Sequence, residues 1–101
     1  MYSVRRNEWR FVWDENKARA NWRKHGVSFE EATAVFDDPH ARGIYDSDHS
    51  EEEDRFILLG MSSGTRLLVV CHCYREDGRI VRIISARKAN GQETKIYQRQ
   101  I

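Results

Sequence analysis

Three apolar runs in the second half of the chain constrain its fold most. They cover residues 55–61, 66–74 and 79–87 and are rich in Val, Ile and Leu, a composition typical of β-strands. Short turn-forming segments separate them, at residues 62–65 and 75–78. Connections this short favour consecutive antiparallel hairpins. The sequence therefore predicts a three-stranded antiparallel meander.

The segment WRFVW predicts an earlier, N-terminal strand. Its aromatic residues Trp9, Phe11 and Trp13 occupy every second position, and successive side chains of a strand point to opposite sides. The three aromatic groups therefore share one side of the strand. We expect them to enter the hydrophobic core, together with Trp22 further along the chain, rather than to stack on nucleic-acid bases.

Capping residues delimit two helices after this strand. Asp14 is a suitable N-cap, and Gly26 suits the left-handed position that follows the last helical residue. Ser28 and Glu31 have the spacing of a capping box at the start of a second helix. That helix is predicted to end before Pro39, which disfavours helical geometry in the residue that precedes it.

The order of these elements predicts a single α+β domain over residues 1–101. Its architecture is an N-terminal strand and two helices, followed by the three-stranded meander and a short C-terminal helix that Asn90 caps. The polar, acidic residues 40–54 are expected to form an irregular loop. We expect the helices to pack on one face of the sheet and to leave the opposite face partly open.

Composition argues against several classes of protein. No apolar run is long enough to span a membrane, and no apolar segment of signal-peptide length follows the N-terminal basic residues. We therefore expect a cytoplasmic protein with no membrane partner. Cys71 and Cys73 are the only cysteines, and we expect them to be reduced core residues. Neither a metal site nor another cofactor is expected.

The net charge of +1 conceals an uneven distribution of charge along the chain. Residues 37–54 carry eight acidic side chains and one basic side chain, whereas residues 75–101 carry seven basic and three acidic side chains. The local field, rather than the total charge, decides where a polyanion binds. A basic C-terminal surface can therefore exist beside a solvated acidic loop.

Arg82 lies between two apolar residues in the last run, RIVRIISARKA. A buried cation is costly unless an anion meets it, and the anion is either an internal carboxylate or a bound ligand. Regular alternation places Arg82 and Arg87 on opposite sides of the strand. His72 of the preceding strand faces either Arg82 or Ile83, depending on the length of the hairpin loop.

The chain also resembles a known family of toxins. FVWDENKARANWRKHGVSFEEA, an acidic loop, RFILLGMSS, LLVVCHCY and RIVRIISARKA, with Glu93 and Tyr97 after them, resemble the BrnT toxins over about residues 11–98. These toxins belong to the RelE-like group of bacterial type II toxin-antitoxin systems. The resemblance implies a RelE-like fold and a metal-independent endoribonuclease that cuts RNA and arrests translation. It also implies a BrnA-type ribbon-helix-helix antitoxin, through which alone the toxin reaches operator DNA.

Candidate catalytic residues follow from the chemistry of cutting RNA without a metal. Such cleavage needs a base for the 2′-hydroxyl proton, a cation for the charge of the phosphorane, and an acid for the departing 5′-oxygen. Arg82 and Arg87 suit the second role, because guanidinium groups form paired hydrogen bonds with phosphate oxygens. His25 or His72 suits proton transfer, and Tyr97 can stack on a base or donate a proton.

Residues that contact RNA without reacting with it are also predicted, and each assignment has a structural alternative. Lys24, beside His25, is placed to capture phosphate, and the other candidates for RNA contact are Arg66 and Lys88. His25 can instead serve only to end a helix, His72 can be a satisfied core residue, and Arg87 can form a surface salt bridge. The alternative function is a catalytically inactive RelE-like module that binds a protein or nucleic acid.

Overall fold

The computed structural model describes residues 2–6, 8–46 and 54–99, in which three α-helices pack on a six-stranded sheet. The strands are β1 (Tyr2–Arg6), β2 (Trp9–Trp13), β3 (Arg42–Asp46), β4 (Arg55–Met61), β5 (Leu67–Arg75) and β6 (Ile80–Lys88). The helices are α1 (Glu15–His25), α2 (Phe29–Thr33) and α3 (Gly91–Gln98), with 3-10 turns at Ala34–Asp37 and Glu76–Gly78. The predicted α+β class is confirmed.

The strand order across the sheet is β1-β2-β6-β5-β4-β3. Strands β4, β5 and β6 form the predicted antiparallel meander, and β2 pairs with β6 in parallel. The two edge strands, β1 and β3, were not predicted. Residues 42–46 form β3 rather than part of an irregular loop, and residues 47–53 of that predicted loop lie outside the described residues.

The predicted caps shape the first two helices. The Asp14 side chain accepts a hydrogen bond from the Asn16 N–H at 2.7 Å, and α1 ends at Gly26, whose φ of 66° is left-handed. The Ser28 hydroxyl accepts from the Glu31 N–H at 3.0 Å, which starts α2. The second helix is shorter than predicted, because its last residues before the proline tighten into the 3-10 turn at 34–37.

The third helix begins at the predicted cap. The Asn90 side chain accepts from the Glu93 N–H at 2.8 Å, and the Glu93 carboxylate accepts from the Asn90 N–H at 2.9 Å. This reciprocal pair satisfies two backbone donors of the first turn. No helix in the described part of the chain has the length and apolar character that crossing a bilayer requires.

The main core lies between the sheet and helices α1 and α2. Its buried side chains include Phe11, Trp13, Phe29, Val35, Leu68, Val70, Val81 and Ile83. Trp22 is 58% exposed, so the prediction that it belongs to the core is wrong. Helix α1 turns Asn21 inward instead, with only 7% of that residue exposed. The aromatic stripe of β2 does pack in this core, as predicted.

Helix α3 packs on the other face of the sheet, so the expectation that all helices lie on one face is wrong. Its Tyr97 packs with Leu59 and Val69, whereas the adjacent strand residues Leu58 and Val70 face the main core. Adjacent strand residues point to opposite faces. We call the side of the main core the core face, and the side that α3 partly covers the α3 face.

A β-bulge in β6 interrupts the regular alternation of its side chains. In the pairing with β5, Ser85 lies opposite Cys71 and Ile83 lies opposite His72, so Ile84 is an extra residue without a partner on that strand. An extra residue moves all later side chains to the other face. The pairing of His72 with Ile83 is one of the two registers that the sequence allowed.

Candidate functional site

The bulge brings Arg82 and Arg87 to the same face of the sheet. Arg82 lies opposite Cys73 of β5, and Arg87 lies opposite Val69 of the same strand. Cys73 and Val69 are an even number of residues apart, so their side chains share one face. This face is the α3 face, because Val69 packs there. The expectation that the two arginines lie on opposite sides is wrong, since it assumed an unbroken alternation.

The Arg82 side chain forms no ion pair and no hydrogen bond with a residue of the described ranges 2–6, 8–46 and 54–99. Its side chain is partly buried between Val12 of β2 and Cys73 of β5. The pKa of the Asp14 carboxyl is lowered mainly by the backbone N–H groups that it caps, and less by the charge of Arg82. A partly buried guanidinium that binds no internal anion is suited to bind an anionic ligand.

A groove of about 310 Å³ opens on the α3 face beside Arg87. Arg55 of β4, Ser85 and Arg87 supply polar groups to its walls, and Ile57 is among the apolar residues that complete them. Ser85 lies between Arg82 and Arg87 along β6. Arg55 was not among the predicted site residues, because a charged residue at the start of an apolar run does not reveal which face of the sheet it occupies.

Arg87 is bound to an internal carboxylate. Its Nη1 and Nη2 donate to Oε1 and Oε2 of Glu93, each at 2.8 Å. This pairing raises the pKa of Arg87 and lowers the pKa of Glu93. Because Glu93 belongs to the first turn of α3, the ion pair ties that helix to the sheet beside the groove. The salt bridge named as the structural alternative for Arg87 is therefore present.

His72 lies on the core face, away from the arginines of the α3 face. It is only 2% exposed, its Nδ1 lies 3.1 Å from the Val70 carbonyl oxygen, and its Nε2 lies 3.4 Å from the Tyr74 hydroxyl. Burial lowers the pKa of His72 and so favours the neutral imidazole. The structure therefore places this candidate inside the core and does not bring it to the groove.

The Tyr97 hydroxyl is engaged in a bond within the protein. It donates to Oδ2 of Asp38 at 2.6 Å, and the residue is 4% exposed. Burial and this bond raise the pKa of Tyr97 to about 12. The same Asp38 oxygen accepts from the Met61 N–H at 2.8 Å. Burial alone raises the pKa of Asp38, but the hydrogen bonds from Tyr97 and from backbone N–H groups lower it overall.

Arg66 forms an ion pair on the core face of the sheet. Its Nε donates to Oε2 of Glu31 at 2.9 Å, its Nη2 donates to Oε1 of the same carboxylate, and Nη2 also reaches the Gly26 carbonyl at 3.2 Å. The Arg66 bond is the main cause of the lowered pKa of Glu31. The Glu31 carboxylate also accepts from the Ser62 hydroxyl at 2.7 Å. It thus bonds distant residues rather than completing the predicted capping box.

Three more candidates lie on the core face: Lys24, His25 and Lys88. Lys24 and His25 end α1, the first exposed and the second partly buried. Lys88 is exposed at the end of β6, and its charge contributes to the lowered pKa of the carboxylate that Arg66 binds. These three candidates therefore lie on the side of Arg66, and the structure does not bring them together with Arg82.

The cysteines and acidic residues of the described ranges form no metal centre. Cys71 and Cys73 are not joined in a disulfide; Cys73 is buried, whereas Cys71 is only partly buried. Within residues 2–6, 8–46 and 54–99, no three or more side chains of His, Cys, Asp or Glu gather in a way that can hold a metal ion.

Comparisons with known proteins relate the chain to one family. A family model described as the ribonuclease toxin BrnT of a type II toxin-antitoxin system matches residues 13–93. The crystal structure of the Brucella abortus ribonuclease toxin, BrnT, has a similar fold, with a TM-score of 0.61 at 23% sequence identity, over 79% of this chain and 95% of that chain. No curated protein sequence matches the chain significantly. Since the family model matches most of the chain, the protein belongs to the BrnT family of ribonuclease toxins from type II toxin-antitoxin systems, which implies an antitoxin partner.

Proposed function

We propose that the protein is a metal-independent endoribonuclease that cuts RNA and so arrests translation in the cytoplasm. Its family supports the class of activity. The site is assigned to the α3 face because the partly buried guanidinium of Arg82 forms no ion pair within the described residues. RNA is a polyanion, and its phosphates are the groups that an arginine of this kind binds best.

In this proposal the scissile phosphate binds on the α3 face, between Arg82 and the groove that contains Arg55 and Arg87. Guanidinium groups that are already in place offset the charge that develops on the phosphorane, which is a large contribution to such catalysis. Ser85, between the two arginines of β6, supplies a hydrogen-bond donor to a phosphate oxygen. Neither His72 nor Tyr97 transfers a proton in this proposal, because both are buried and hydrogen-bonded within the protein. Solvent water in the open groove takes the proton of the 2′-hydroxyl as that oxygen attacks the phosphorus, and water gives a proton to the 5′-oxygen as its bond to phosphorus breaks.

The candidates on the core face do not bind the scissile phosphate in this proposal. Lys24, His25 and Lys88 lie across the sheet from Arg82, so we assign them no contact with the scissile phosphate. Arg66 is held by Glu31, and its proposed role is to stabilise the turn between β4 and β5. Each of these residues can be removed without displacing a guanidinium group of the α3 face.

The proposed antitoxin is a BrnA-type protein with a ribbon-helix-helix region. It silences the enzyme by preventing RNA from reaching Arg82, and the toxin contacts operator DNA only through the complex. The type II family supports the existence of such a partner. Expression of the toxin alone is expected to stop bacterial growth, and co-expression of the antitoxin is expected to restore it.

The test is the cleavage of a defined single-stranded RNA in the presence of EDTA. Wild-type protein should cut it, and Arg82→Ala should cut it at least about 100-fold more slowly, because a donor that stabilises the transition state is lost. Arg23→Ala, which removes the same charge from an exposed position on α1, is the control and should cut like the wild type. The melting temperature of Arg82→Ala should be unchanged or higher, because no internal partner is lost.

Two results would contradict this proposal in different ways. A large fall in the melting temperature of Arg82→Ala would show that Arg82 has a structural partner. RNA that stays intact at high concentrations of the wild-type protein, although it binds, would favour the catalytically inactive binding module.

A further inference from the structure

We infer that the N-terminal hairpin, β1 and β2, extends the RNA-binding surface of the α3 face with two more phosphate contacts, Arg5 and Arg10. Both residues lie outside residues 13–93, the part of the chain that the family model matches. The inference rests on the proposed function and deepens it. It assigns to the hairpin the binding of RNA that flanks the scissile phosphate.

Side-chain alternation in β2 places Arg10 on the α3 face. Phe11 and Trp13 are buried in the main core, so their neighbours Arg10 and Val12 point to the opposite face. Val4 of β1 packs against the main core, which turns Arg5 to the α3 face as well. The two arginines are exposed and lie on the same side of the sheet as Arg82.

Strand pairing places these arginines in a row across three neighbouring strands. Arg5 lies directly opposite Arg10, and Val12, two positions beyond Arg10, lies beside Arg82 of β6. In an antiparallel pair such as β1 and β2, directly opposite side chains are about 5 Å apart. We call Arg5, Arg10 and Arg82 the arginine row. It leads away from the groove that contains Arg87 and reaches the edge of the sheet at β1.

The arginine row carries positive charge that the described protein does not neutralise by ion pairs. No residue of the row forms a salt bridge within the described ranges. Arg10 makes one long hydrogen bond, 3.5 Å, to the Ser3 hydroxyl. Glu8 and Glu76 line the end of the sheet near Arg5 and Arg10, but within the described ranges neither closes an ion pair with them.

The direct pairing of Arg5 with Arg10 is unfavourable in the unbound protein. Like charges placed opposite each other on adjacent strands destabilise a sheet, and a phosphate bound between the two guanidinium groups removes that repulsion. Proteins that hold single-stranded nucleic acid do so in positively charged grooves that follow the phosphate backbone. The arginine row has this character, and it continues the surface on which the scissile phosphate is proposed to bind.

The test measures the binding of a single-stranded RNA that cannot be cut, because every 2′-hydroxyl is 2′-O-methylated, at several salt concentrations. The slope of log K against log salt concentration is negative, and each phosphate contact makes it steeper by about 0.7 for single strands. The double variant Arg5→Ala/Arg10→Ala should therefore make the slope shallower by about 1.4. Arg19→Ala/Arg23→Ala removes the same charge from the exposed side of α1 and should keep the wild-type slope.

Thermal unfolding accompanies the binding measurement. Because the substitutions at Arg5 and Arg10 remove a repulsive pair, the double variant should melt at the wild-type temperature or above it. A weaker affinity in a fully folded double variant then reports lost phosphate contacts.

Failure of the inference differs from failure of the proposed function. If wild-type protein cuts RNA but the Arg5→Ala/Arg10→Ala slope equals that of the wild type, or the α1 control loses as much, the hairpin is not an RNA contact and the inference is overturned alone. Unchanged RNA binding with weaker antitoxin binding would also overturn it, in favour of a protein partner at the hairpin. Wild-type protein that neither binds nor cuts RNA would refute the proposed function itself.

Discussion

The side-chain amide of Asn21 hydrogen-bonds both backbone polar groups of Ala86: its Oδ1 accepts from the N–H at 3.0 Å, and its Nδ2 donates to the carbonyl at 2.8 Å. The same Nδ2 also donates to the Val27 carbonyl at 2.9 Å. Strand β2 pairs with β6 only along residues 80–82, so it does not reach Ala86. The amide therefore makes the two hydrogen bonds that a neighbouring strand would otherwise make with Ala86. It attaches α1 to β6 just beyond the bulge.

Asn21→Ala should destabilise the protein by roughly 2 to 3 kcal/mol, because it leaves a buried N–H and a buried carbonyl without a partner. Urea unfolding measures the loss. Asn16→Ala, on the exposed side of the same helix, is the control and should change the free energy of unfolding by no more than about 0.5 kcal/mol. A similar small change in Asn21→Ala would mean that water or another group satisfies Ala86.

Trp13, just before the N-cap Asp14, should contribute much more to stability than Trp22, which lies within α1. Trp13 is 2% exposed, whereas Trp22 is 58% exposed. Trp13→Ala should cost about 3 to 5 kcal/mol, as is usual for a large aromatic residue removed from a core. Trp22→Ala should stay within about 0.5 kcal/mol of the wild type. Denaturant unfolding of both variants checks the ranking, and equal losses would contradict the position of Trp22.

Elements that neighbouring residues encode could be predicted from the sequence. Asp14, Ser28 and Asn90 accept hydrogen bonds from backbone N–H groups two or three residues later, and Gly26 adopts the left-handed conformation that its residue type favours. Each signal is complete within one helical turn. The meander was predictable for the same reason, since its strands are consecutive and the connections between them are short.

Features that depend on distant partners could not be predicted in this way. The segment IVRIISA contains no glycine or proline to mark the extra residue Ile84, yet that residue decides whether Arg82 and Arg87 share a face. The parallel pairing of β2 with β6 joins strands about seventy residues apart in the sequence. The sequence therefore predicts a strand that contains Arg10, but not that this strand lies beside β6 with Arg10 diagonal to Arg82.

The bond between Tyr97 and Asp38 should make stability depend on pH in the alkaline range. The pKa of Tyr97 is raised from 10.0 to about 12 in the folded protein, so the folded state holds this proton more tightly than the unfolded chain does. A raised pKa gives a contribution that is fully present below pH 10 and is lost as the pH rises toward about 12.

Tyr97→Phe tests this dependence. At pH 7 the variant should be less stable by about 1 kcal/mol, because the hydrogen bond to Asp38 is lost. Above pH 10 its stability should fall less steeply than that of the wild type, since the titrating hydroxyl is absent. Urea unfolding in steps from pH 7 to pH 11 measures both effects, and parallel curves for the two proteins would rule out the assigned shift.

The ion pair of Arg87 with Glu93 raises the question of whether Arg87 acts on the phosphate or only holds α3. The side chains of the pair are 41% and 23% exposed, so a double-mutant cycle should give a coupling energy of at most about 1 kcal/mol. Glu93→Gln removes the carboxylate charge and leaves the guanidinium in the groove. It should therefore keep or increase RNA cleavage, whereas Arg87→Ala should reduce it.

Arg66→Ala is the matched control for this comparison, because it breaks an ion pair of similar exposure, 32% and 19%, on the other side of the sheet. It should lower the melting temperature but leave the cleavage rate of the folded protein unchanged. If Glu93→Gln and Arg87→Ala lose cleavage to the same extent, the anchoring of α3 is what matters. In that case Arg87 does not bind the phosphate, and the guanidinium groups of the phosphate site are those of Arg82 and Arg55.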